Sequence, residues 1–192
     1  MEEAQVLEEL GAVRDAVERL TGLHSRWSGS VVLMDGREIV AMRGQPVLAE
    51  KRWSCDILLN TVLTASPTRW RTYIHEMLHS VSVGLNEQDL RRLRGWEEGV
   101  VEQVQRLLRP QLLASIGVDV PEEVFAAVDR AWTLNGFVEA LEVLRSALER
   151  EADTFYLDLL RTPLRERLAY VLAQDHTPEF QRLFARTLGK LR

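Results

Sequence analysis

From Ser66 to the C-terminus the chain carries an almost unbroken helical pattern, which confines any β-structure to a short stretch before it. Ser66-Pro67, Thr162-Pro163 and Thr177-Pro178 repeat one start signal, a hydroxyl residue at the N-cap followed by proline at the first helical position. Further helices are expected from about Asp89 to Arg109, from Pro121 to Ala131 and from Gly136 to Arg161. Upstream, Val6, Leu10, Val13, Val17 and Leu20 recur at spacings of four and three, an apolar stripe on an N-terminal helix that Gly22 stops. That stripe covers the core or, on a sharper reading, meets a partner helix.

Residues 30–60 read differently. Ser30–Met34 and Glu38–Met42 flank Asp35-Gly36-Arg37, the pattern of two strands and a hairpin turn. Cys55–Asn60 reads as another short strand after the breakers Gly44 and Pro46. The expected fold class is α+β, with a small, mainly antiparallel sheet and a helical C-terminal half. The 192 residues suit a single domain, comprising an N-terminal helix over 1–22, a core over 30–109 and a helical subdomain over 110–192.

Charge and cysteine usage exclude several classes of function. A net charge of −5 offers no basic footprint for nucleic acid or anionic lipid. The arginines cluster only locally (Arg91, Arg92, Arg94 and Arg161, Arg165, Arg167), as expected of solvated helix faces. Cys55 is the single cysteine, so neither an intrachain disulfide nor a cysteine-rich metal site can form. The acidic Met1-Glu2-Glu3 start lacks the character of a signal peptide, and no apolar run reaches the roughly 20 residues of a membrane span. A cytoplasmic protein is expected, with a reducing compartment suited to the lone thiol.

Thr72-Tyr73-Ile74-His75-Glu76-Met77-Leu78-His79 contains the one motif that carries chemistry, H-E-x-x-H. Residues four apart sit one helical turn apart on one face, so both imidazoles can reach a single ion at about 2.0–2.1 Å. Glu76 projects beside them, where a carboxylate can take a proton from an activated water. Trp70, Ile74, Met77, Leu78 and Val81 form an apolar stripe, and Thr68, Thr72, His75, His79 and Ser82 a neighbouring polar one. Catalytic zinc takes three protein ligands and leaves one position open, and two histidines with a glutamate are an established set. Eighteen residues, Ser80–Glu97, separate His79 from Glu98, which lies in Gly95-Trp96-Glu97-Glu98-Gly99. Glu97 competes with it, but the spacing and the small Gly99 beyond favour Glu98.

H-E-x-x-H, eighteen residues, then Glu and Gly resembles the gluzincin metallopeptidases, especially their aminopeptidase-like and minimal members, over about residues 30–109. The resemblance implies Zn2+ held by His75, His79 and Glu98, Glu76 as general base, and a sheet lying against an active-site helix pair. Glu102 matches the acidic position that orients the first histidine in thermolysin-like members, as an acceptor for the ring N–H that does not bind metal. Tyr156 lies roughly where such enzymes place the tyrosine that stabilises the oxyanion; Tyr170 and His176 are its rivals. His24 has no partner at ligand spacing and reads as a surface residue. The expected function is peptide-bond hydrolysis of a restricted set of peptide or protein substrates, an effector acting on one protein included. The alternative is a structural or regulatory metal-binding protein that keeps such a site without peptidase activity.

Overall fold

A computed structural model describes residues 2–191 of the chain. They form a mostly helical α+β protein with one three-stranded sheet and, among the described residues, nine α-helices. None of these helices is long and apolar enough to cross a membrane. The chain divides into two compact units. One takes the residues up to Val81 together with Leu108–Asp129; the other takes Ser82–Leu107 together with the residues from Arg130 on.

In the first unit, α1 (Glu3–Thr21) ends on Gly22, whose left-handed φ of 71° lets its N–H cap the Glu18 carbonyl. Val6, Leu10, Val13 and Val17 are buried, and α1 packs on α3 (Arg69–Val81), so the apolar stripe meets the protein's own helix. Arg69 reinforces this pairing by donating from Nε and Nη2 to the two Glu9 carboxylate oxygens, both at 2.9 Å. A bidentate fork of this kind is the strongest form of surface ion pair.

The expected hairpin does not form. β1 (Val31–Met34) is present, but Gly36–Arg43 is a helix, α2. The Asp35 carboxylate accepts the N–H groups of Arg37 and Glu38, while the Glu38 carboxylate accepts the Asp35 N–H. This reciprocal capping box makes Asp35-Gly36-Arg37-Glu38 a helix start instead of a turn. β2 (Ala49–Lys51) lies where no strand was expected, and β3 (Ile57–Asn60) is fully buried between the other two. β1 pairs parallel to β3 and β2 antiparallel to it, so the sheet is mixed, not mainly antiparallel. A parallel pair requires a crossover, and α2 with β2 fills the connection between β1 and β3. β2 lies against α3.

The long helix α4 (Glu87–Ser115) kinks at Leu93, where φ and ψ are −124° and 27°, and contributes to both units. α5 (Glu123–Ala131) completes the first unit up to Asp129. There Arg71 of α3 and Arg109 of α4 both grip the Asp129 carboxylate, at 2.7 and 2.9 Å. Burial alone would raise the Asp129 carboxyl; its hydrogen bonds to Arg109 and Arg71 outweigh that and hold it below the usual carboxylate range.

The second unit contains α6 (Asn135–Ala147), α7 (Ala152–Arg161), α8 (Arg167–Leu172) and α9 (Pro178–Leu188). The expected long helix over 136–161 is broken at 148–151, where Glu149 adopts a left-handed φ of 52°. Thr177 caps α9 by accepting the Phe180 N–H, as its Thr-Pro signal predicts. Thr162 instead closes α7, and Pro163 leads into a single 3-10 turn before α8.

Candidate metal centre

α3 is buried on every face from Trp70 to Val81, so the polar stripe read from the sequence lies in the interior along with the apolar one. His75, Glu76 and His79 are 8%, 7% and 9% exposed, which leaves each a small opening to solvent. The i, i+4 spacing brings the two imidazoles together: their Nε2 atoms face each other at 3.2 Å, with the ring planes 79° apart.

Glu76 points toward the sheet. Its Oε2 accepts the backbone N–H of Lys51, in β2, at 2.6 Å. In the antiparallel register of β2 with β3, Glu50 is the residue bonded to Leu58, so Lys51 N–H faces away from the sheet and is available to α3. Sequence reasoning missed this partner because a backbone donor leaves no mark in side-chain pattern.

In the second unit, the acidic and aromatic candidates occupy distinct surroundings. Glu98 keeps 15% of its side chain exposed and lies 3.5 Å from Arg94, one turn earlier on α4. Glu102 is fully buried and accepts a hydrogen bond from Arg106 Nε at 2.8 Å; Arg106 also donates to Asn135 at 2.7 Å. Glu97, the competing ligand candidate, is fully buried as well. Its Oε2 accepts from Arg167 at 2.8 Å and from the Ser82 hydroxyl at 2.8 Å. Arg167 is likewise buried, so the expected solvated arginine face fails at that residue. One signal was in the sequence: Arg167 falls three residues after Leu164 and four before Val171, and Glu97 precedes Val100, Val101 and Val104 at helical spacing. A charge on an apolar stripe needs a buried partner.

Tyr156, on α7, is sealed in the second unit beside Glu142. Burial, then that carboxylate, pushes its phenol far above the usual range, and its hydroxyl lacks a well-formed hydrogen bond. Tyr170 is half-buried and donates to Asp158 at 3.0 Å, while His176 and His24 are exposed. No protein-family model, curated protein or solved structure matches the chain.

Proposed function

We propose that this protein is a zinc-dependent metallopeptidase with His75, His79 and Glu98 as metal ligands and Glu76 as general base. The observation that carries the reading is the 3.2 Å approach of the two Nε2 atoms. Nitrogens bound about 2.0–2.1 Å from one tetrahedral zinc stand roughly 3.3 Å apart, so this pair already has the spacing a shared ion requires. Two imidazoles with one carboxylate, the set His75, His79 and Glu98 would supply, are donors suited to zinc. The H-E-x-x-H motif and the eighteen-residue spacer to Glu98 give independent support from the sequence.

Zinc in such a site supplies Lewis-acid chemistry, polarising a carbonyl and acidifying water. Glu76 does the proton work. Its Oε2 is held by the Lys51 N–H, so Oε1 is the oxygen that accepts the proton of the attacking water and passes it to the leaving amine. Glu102 orients His75 through the ring nitrogen that does not bind metal. The substrate is a peptide or protein, and an extended segment pairing with the edge strand β2 would bring its carbonyl beside Glu76.

The test is zinc content and chelator-competition affinity for the wild type, His79→Ala, Glu98→Ala and Glu97→Ala, alongside peptide-library cleavage. One zinc per chain, lost in His79→Ala and Glu98→Ala, and metal-dependent cleavage are expected. A wild type that binds no zinc, or Glu98→Ala with full zinc and full affinity, overturns the ligand set. Zinc without cleavage turns the reading toward a structural metal protein.

A further inference from the structure

We infer that Ser82, Glu97 and Arg167 form a buried positioning network that fixes the proposed third ligand, Glu98; the inference rests on the zinc-site reading above. The three side chains lie wholly inside the second unit, each with no solvent exposure. Arg167 donates to Glu97 Oε2 at 2.8 Å, to Ser82 Oγ at 2.7 Å, and to the backbone carbonyls of Trp96 and Thr162 at 3.3 and 3.2 Å. Ser82 closes the triangle by donating to the same Glu97 oxygen at 2.8 Å. Burial pushes the guanidinium below its usual range while the Glu97 carboxylate pulls the other way, and arginine stays charged under both influences.

A buried ion pair is a poor way to gain stability, because desolvation offsets most of the attraction and apolar replacements often do as well. What such a pair does supply is a fixed geometry. The network's place in the chain matches that role, since Glu97 immediately precedes Glu98 and Ser82 lies three residues beyond His79. It therefore anchors both ends of the stretch that separates the second histidine from the glutamate.

The rest of this α4 segment is clamped in the same unit. A Cβ on Gly95 would come within 2.6 Å of the Leu191 carbonyl oxygen, and one on Gly99 within 2.8 Å of Leu141 Cδ1. Trp96 is buried against Phe184. Of residues 95–99, Glu98 alone is not buried. Its neighbours on either side are locked, so its backbone has no freedom to retreat, and the ordering that metal binding would otherwise demand is already in place.

The experiment measures zinc affinity by chelator competition, the visible absorption spectrum of the cobalt(II)-substituted protein, and thermal melting. The variants are Ser82→Ala, Glu97→Gln, Arg167→Lys and the apolar pair Glu97→Leu/Arg167→Met, with Glu98→Ala as control. The expected result is a 10–100-fold loss of zinc affinity in the network variants, the range seen when groups that orient metal ligands are removed. An altered cobalt spectrum should accompany it. The apolar pair should recover melting temperature without recovering affinity or spectrum, a separation that a merely structural network would not show. Unchanged affinity and spectrum in Ser82→Ala and Glu97→Gln, with loss in Glu98→Ala, overturn this inference and leave the zinc site standing. Ser82→Ala removes a single hydroxyl and keeps the test decisive if the charged-pair variants do not fold. A wild type that binds neither zinc nor cobalt overturns the zinc reading and this inference together.

Discussion

Glu76 Oε2 accepts the Lys51 backbone N–H at 2.6 Å, tying the glutamate of the H-E-x-x-H motif to the edge strand β2. A glutamine can keep that hydrogen bond through its amide oxygen but cannot accept a proton from water. Glu76→Gln is therefore expected to retain its fold and its zinc while peptide hydrolysis falls by about 10²–10⁴-fold. Circular dichroism, metal analysis and steady-state rates on the same preparation check all three. Wild-type turnover in Glu76→Gln would remove Glu76 from the base role.

Glu102 is fully buried and already bonded to Arg106 at 2.8 Å, so its carboxylate is held in one orientation. On the proposed role of Glu102 in orienting His75, its replacement by glutamine should weaken zinc binding by about 10–100-fold. Isothermal titration with zinc against a competing chelator reads the change. An unaltered affinity would make Glu102 a partner of Arg106 alone.

Tyr156 carries a buried hydroxyl without a well-formed hydrogen bond, so Tyr156→Phe should keep or slightly raise the melting temperature. Zinc content should not change. Rates measured on the same variant decide its chemistry: an oxyanion donor would show kcat lowered by about 10²–10³-fold at unchanged stability. Equal rates would leave Tyr156 as packing.

Asp129 has a carboxyl depressed below its ordinary value, against the tendency of burial, by Arg109 and Arg71. A group of this kind contributes stability that is fully present above its unfolded pKa, about 3.9, and is lost as pH falls through the lower folded pKa. Asp129→Asn should cost about 3 kcal/mol at neutral pH, because it leaves two buried guanidiniums short of a partner. Denaturant melts from pH 7 to pH 3 should show the gap between wild type and Asp129→Asn narrowing below about pH 4. A gap that stays constant across that range would contradict the assignment.

The elements legible in the sequence are those whose cause lies within a few residues. The α1 stripe with its Gly22 stop, the α3 helix that sets His75 and His79 on one turn, and the Thr177 cap of α9 follow from local periodicity and capping. Asp35-Gly36-Arg37-Glu38 shows the limit of local reading, since the same four residues suit a hairpin turn or a capping box. Here Glu38 reaches back to the Asp35 N–H and α2 results, while β1 pairs with β3 twenty-six residues further along the chain. The burial of Glu97 and Arg167 was decided at longer range still, because a charge can enter the interior only when a partner seventy residues away arrives to neutralise it. The sequence by itself determined the motif helix and the candidate metal donors it carries. The strand pairing, the Lys51 hold on Glu76 and the ion pair beside Glu98 were decided only by tertiary structure, where desolvation makes each buried polar group depend on a partner that no local pattern encodes.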